Sequence, residues 1–229
     1  MTGLMGLMVG LHIFWHGRMQ QSATTLGEPL PAPPPIAVWR WASLGEPVAM
    51  ARLSTLWLQA CEYQPGESVP LRDRNFQRVE AWLDGILTLD PKGQYPLQMA
   101  ARRYAETEDP VKQRQMLAYI SRQFAVDPDR RWPWLAHAAL LARHRLQDLP
   151  LALTYARAIR ARTTPGKVPS WARQMEWVVL EEMGELEGTR LLIGGLLSSG
   201  EVTSPAEIRF LNERLRTLAH QESGKTSGD

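Results

Sequence analysis

The chain has 229 residues, 44% of them hydrophobic and 22% charged, which suits a folded protein with a sizeable core and excludes wholesale disorder. Twenty-six Lys and Arg against 24 Asp and Glu leave a formal charge of +2, which gives no strong field toward nucleic acid or anionic lipid, and no nucleic-acid partner is expected. Cys61 is the single cysteine, so an internal disulfide is excluded, and its place in the apolar run Leu56–Cys61 reads as a small buried thiol.

From Gly3 to Trp15 the residues are apolar except for His12, and none is charged until Arg18. Thirteen residues fall short of the ~20 that span hydrocarbon comfortably, so length alone also admits a signal-peptide core or a buried helix. The segment lacks a basic n-region, and Met19–Ala23 offers no A-x-A-like cleavage site. Residues 1–19 therefore read as an uncleaved membrane anchor, with His16 and Arg18 snorkelling to the interface. Residues 20–38 come next, as a linker. Its stretch Gln20–Pro35 ends in a proline cluster and reads as an extended, polyproline-like stalk.

Beyond Pro35, apolar residues recur at three- and four-residue steps between Pro, Gly and Asp-Pro breaks, and no strand alternation appears. The expected class is all-α, with a helical domain over residues 39–220 and a polar tail over 221–229. A first helix begins near Ser43, where Ser43-Leu44-Gly45-Glu46 has capping-box spacing and Pro47 suits the first turn. It stops at Tyr63-Gln64-Pro65-Gly66. A second runs from about Asp73 to Asp90-Pro91 and carries Phe76, Val79, Trp82, Leu83, Ile86 and Leu87 on one side.

Residues 90–104, DPKGQYPLQMAARRY, then match residues 127–141, DPDRRWPWLAHAALL, with Asp-Pro on Asp-Pro, Tyr95-Pro96 on Trp132-Pro133 and Ala101 on Ala138. A weaker third copy starts at Val168-Pro169-Ser170-Trp171. Partner helices lie between the copies at Pro110–Phe124 and Leu149–Arg162, and after Gly184 at Leu186–Leu197, so each period holds two helices. A last helix, Ser204–His220, again opens on capping-box spacing.

The stretch Leu149–Ile159 followed by Pro165, with Ala152 at the close-contact position, resembles the second helix of a tetratricopeptide repeat. Trp82–Leu89 ending in Asp90-Pro91 resembles the tail of another such helix, and Tyr95–Tyr104 the first helix of the next unit. The likeness covers roughly residues 73–198, with a longer period than the family's and without its full signature in any one unit. The resemblance implies a right-handed superhelical array of antiparallel helix pairs, each too small to bury both faces alone. Trp132, Trp134, Trp171 and Trp177 are then expected at the joints between pairs. First helices of such arrays line the concave side, which makes Arg102, Arg103, Arg143 and Arg173 the candidate partner-binding residues.

The search for chemistry returns little. His137 and His144 stand seven apart, about 10.5 Å along a helix and too far for one metal ion; they read as one partly packed and one exposed histidine. Glu181, Glu182, Glu185 and Glu187 read as solvated charges at a corner. Gly194-Gly195 lacks a phosphate-binding context and reads as a point of close helix packing. No catalytic residue, metal or cofactor is expected. An anchor, a stalk and a repeat array together suggest a scaffold that binds a protein or peptide partner in assembly of a bacterial envelope complex. An accessory subunit or enzyme of a cell-wall or nucleic-acid process is the alternative. The expected location is the bacterial inner membrane, single-pass. Arg18 and Arg40 downstream of the anchor favour a cytoplasmic domain, whereas short signal anchors commonly export their C-terminal part; the reading leans periplasmic, with the side open.

Overall fold

The computed structural model describes residues 30–62 and 74–226, with side chains through residue 61 in the first span and to residue 219 in the second. The expected anchor, the stalk through Pro29, the helix stop at Tyr63–Gly66 and the end of the tail lie outside these residues. Helix makes up 75% of what is described, with no strand among the described residues. Among the described residues eleven α-helices pack against their neighbours, compatible with a helical repeat fold. Contacts divide the chain into a unit ending at Pro91 and a second unit from Lys92.

In the first unit, α1 (Ile36–Ala42), α2 (Pro47–Glu62) and α3 (Phe76–Leu89) close around three tryptophans. Trp57 stacks on Trp82 at 4.4 Å between ring centroids, and the buried Trp39 lies tilted at 5.3 Å from Trp82. Helix α3 starts at Phe76, later than Asp73, because Asn75 is its cap and accepts from the Arg78 backbone N–H at 3.2 Å. Ile36–Val38, expected in the linker, instead form the first turn of α1.

The capping box at Ser43 does not form. Ser43 ends α1, donates its hydroxyl to the Arg40 carbonyl at 2.7 Å, and is followed by Leu44 and Gly45 at φ of 49° and 92°. Two successive left-handed residues reverse the chain there, so α2 begins only at Pro47, where a missing N–H costs a helix nothing. Cys61 is half-buried rather than enclosed.

In the second unit the helices are α4 (Tyr95–Arg102), α5 (Pro110–Phe124), α6 (Pro128–His144), α7 (Leu149–Arg162), α8 (Ser170–Arg173), α9 (Met175–Glu182), α10 (Leu186–Ser199) and α11 (Pro205–Thr226). A single 3₁₀ turn, Tyr104–Glu106, follows α4. Aspartates fix two of the starts: Asp109 accepts from the Val111 and Lys112 N–H groups, and Asp148 from Leu151. Buried alanines, among them Ala100, Ala101, Ala138, Ala139, Ala142, Ala152 and Ala156, let backbones approach closely, while Tyr104, Met116, Leu117, Ile120, Phe124 and Ile159 fill the rest. A separate cluster of Trp177, Ile193, Leu196, Val202, Leu211 and Leu218 holds α9, α10 and α11 together.

The two matched copies differ at their starts. Pro91-Lys92 makes a turn before α4, whereas Asp129, Arg130 and Arg131 are already helical, so α6 begins one turn earlier and takes Pro133 inside it. Arg131 holds that extra turn by donating, from a 3% exposed side chain, to the Gln123 carbonyl at 2.9 Å and to Gln123 Oε1 at 2.7 Å. Gly194 and Gly195 are not sites of close packing: a methyl group at either would meet nothing within 4 Å, and both line an open groove beside Leu191 and Leu215. Helix α11 continues to Thr226, past His220 and into the expected tail.

Candidate partner-binding surface

The surface is built outward from the start of α6. Asp129, in its first turn, accepts from the Thr164 N–H at 2.7 Å and the Thr164 hydroxyl at 2.8 Å, and pairs with Lys167 at 3.2 Å. The Thr164 backbone, its hydroxyl and Lys167 together hold this carboxyl below its usual value. The loop between α7 and α8 is thereby tied to α6, and Gly166 in it turns at a φ of 82°.

One helical turn after Asp129 stands Trp132, and just beyond the tied loop stands Trp171. Their rings meet edge-on, 5.4 Å apart at 75°. Trp171 is 56% exposed and does not fill a joint; the buried tryptophan is Trp177. The reason lies in α8, a single turn whose buried side is taken by Ala172 and Arg173, leaving Trp171 on the outer side. Trp134 is half-buried and donates its indole N–H to Gln94 Oε1 at 2.7 Å, next to the exposed Tyr95. Aromatic side chains therefore stand at the starts of α4 and α8 and in the first two turns of α6, Trp132 and Trp134 on different sides of that helix.

The four arginines do not form one cationic face. Arg102 is exposed at the end of α4, and Arg103 is half-buried beside it. Arg143 forms a salt bridge with Glu182 of α9. Arg173 is buried, donating to the Thr163 carbonyl at 2.9 Å and pairing with Glu201 at 3.3 Å, so it is an internal tie and not a surface contact. Its place in the sequence, two residues after an exposed tryptophan, carries no sign of this burial.

Half of the acidic corner is used in ties between helices, since Glu181 pairs with Arg214 and Glu182 with Arg143, while Glu185 and Glu187 are exposed, as the sequence reading has them. Glu176, buried on α9, accepts from Arg157 at 3.0 Å and Arg160 at 3.2 Å of α7. Among the described residues no group of His, Cys, Asp and Glu is arranged to hold a metal ion.

His137 is half-buried on α6 and His144 exposed near its end, in keeping with their spacing. Burial and then the Arg102 charge depress the His137 pKa, against the opposing pull of Glu106 and a hydrogen bond to the Ala101 carbonyl. Its Nε2 is buried without a hydrogen-bond partner. Tyr155, buried and near the Asp148 carboxylate, has its phenol pushed up to about 12 and stays neutral.

No helix among the described residues is long and apolar enough to cross a membrane, and Gly3–Trp15 lies outside them. Comparison with protein-family models, with curated proteins and with solved structures gives no match.

Proposed function

We propose that the protein is a membrane-tethered helical-repeat scaffold of the tetratricopeptide kind, whose second unit binds a protein or peptide partner during assembly of a bacterial envelope complex. The observation that carries the reading is the Trp132–Trp171 pair. A tryptophan more than half exposed, steadied by a second indole and by a loop tied to Asp129, is a preordered aromatic anchor of the kind that dominates protein interfaces. Exposed Tyr95 and Arg102 on α4 offer a further aromatic and a cation in the same unit. The apolar run Gly3–Trp15 supports tethering, with residues 92–229 displayed near the inner membrane on the periplasmic side.

The test is affinity capture from detergent-solubilised membranes with the full chain and with Trp171→Ala/Arg102→Glu. Loss of one or more specifically captured proteins from the double variant, with a melting temperature lowered by no more than a few degrees, is the expected result. Identical recovery of every captured protein by both chains would remove this surface from the proposal.

A further inference from the structure

Helix α2 is packed on one side and apolar but exposed on the opposite side. Its packed side is the stripe Ala51, Ser54, Thr55 and Leu58, all buried, with the Thr55 hydroxyl donating to the Ala51 carbonyl at 2.8 Å. Diametrically opposite, at i, i+4, i+7 and i+11, stand Ala49, Leu53, Leu56 and Ala60, all exposed. The turn that leads into α2 adds more apolar surface, with Trp41 at 81% exposure and Leu44 at 88%. Leu44 is held in the left-handed region at a φ of 49°, its N–H bonded to the Trp41 carbonyl at 3.2 Å. A strained leucine aimed into water stabilises nothing in the free chain, and such strain clusters where a surface meets something else.

We propose that this α1–α2 face lies on the lipid bilayer, with Trp41 and Leu44 inserted at the boundary between headgroups and acyl chains. The inference rests on the membrane tether proposed above. Leu30 and Pro31 are docked on α3 through Arg78 and Trp82, so the chain length between the apolar run ending at Trp15 and the first unit is residues 16–29. Fourteen residues reach at most about 50 Å when fully extended, which keeps the first unit at high effective concentration next to any bilayer that holds Gly3–Trp15. The chemistry suits the interface: a tryptophan, leucines and small residues without a charge in the stripe.

The experiment uses the full chain with Cys61→Ser, reconstituted into vesicles of phosphatidylcholine and phosphatidylglycerol. A nitroxide is placed at Leu44→Cys, or at Val111→Cys, an exposed position on α5, as the reference. The expected result is that the Leu44 label becomes accessible to oxygen and shielded from a water-soluble nickel chelate, while the Val111 label stays accessible to nickel. Carbonate-resistant flotation reads the tether separately. If the chain floats after carbonate but the Leu44 label is as accessible to nickel as the Val111 label, the face is overturned and the tether stands. Shielding of the Leu44 label from both reagents means that protein, a second copy or a partner, covers the face, and also overturns the proposal. A chain that does not float after carbonate loses the tether; Leu44 lipid contact without it supports the face, and its absence removes both.

Discussion

Gly85 lies directly against the indole of Trp39: a Cβ built on it would stand 2.5 Å from Cζ3 and 2.8 Å from Cη2 of that ring. Trp39 is 2% exposed and tilted against Trp82, which itself stacks on Trp57, so the ring has no room to withdraw. Gly85→Ala sets two effects against each other. Helix propensity favours alanine by ~1 kcal/mol, while overpacking a filled site costs ~1–3 kcal/mol. The expected outcome is net destabilisation of the first unit by up to about 2 kcal/mol, read from denaturant midpoints. Gly85→Ala in a Trp39→Leu background should lose that penalty, and equal costs in both backgrounds would show that the ring is not the obstacle.

Trp171 and Trp177 stand on neighbouring short helices and should behave oppositely. Trp177, 6% exposed within the apolar cluster shared by α9, α10 and α11, is expected to cost ~3–5 kcal/mol when changed to alanine. Trp171→Ala removes an exposed ring and one edge contact, and should cost under ~1.5 kcal/mol. Urea unfolding of the two variants checks this; equal losses would place Trp171 in the core.

Proton linkage at His137 gives a pH dependence with a definite sign. Its folded pKa lies below the ordinary 6.5, so just below pH 6.5 the unfolded chain binds the extra proton and the folded chain does not. Stability of the second unit should therefore fall as pH drops below 6.5, and level off once the folded imidazole also protonates. Asp129 and Asp148 are held below their usual 3.8, the second by Arg114 and the Leu151 N–H, and add a separate loss only below that value. In proton NMR the His137 ring should titrate below 6.5, and Arg102→Gln should move its midpoint up. A midpoint at or above 6.5 in the parent chain would exclude the linkage.

Much of the second unit was legible because its signals are local. Asp109-Pro110 and Asp148-Leu149-Pro150 place a capping carboxylate and a proline where a helix starts, and α5 and α7 begin and end where the sequence puts them. What escaped depends on contacts between distant residues. The apparent capping box at Ser43 has the right letters, but Leu44 and Gly45 turn left-handed and give Ser43 to the preceding helix. Arg173 reads as a surface residue because its burial depends on the Thr163 carbonyl and on Glu201, ten and 28 positions away. Gly85 gives no signal, since a glycine inside a helical pattern does not say which ring faces it.

The proline-rich segment offers the last test, because its final residues are docked and not free. Arg78 donates to the Leu30 carbonyl at 2.6 Å, and the Trp82 indole N–H donates to the Pro31 carbonyl at 2.8 Å. An extended proline-rich backbone has no internal hydrogen bonds, so its carbonyls are open to such donors, and its low chain entropy makes docking inexpensive. Trp82→Phe keeps a ring to stack on Trp57 but removes the N–H, and Arg78→Met keeps most of the side-chain bulk but removes the guanidinium. Arg78→Met should cost ~0.5–1.5 kcal/mol in the first unit, the usual net worth of one hydrogen bond, and Trp82→Phe more, because the smaller ring also leaves a cavity. The more direct readout is protection of the segment itself: backbone exchange at Leu30 and Ala32, and proteolysis beside them, should accelerate in either variant and further in the double variant. Trp82 also fills the core, so the guanidinium variant is the cleaner probe: it leaves the indole bond and the Trp57 stack intact. Unchanged exchange in Arg78→Met together with unchanged exchange in Trp82→Phe would mean that the segment is not held by these two donors.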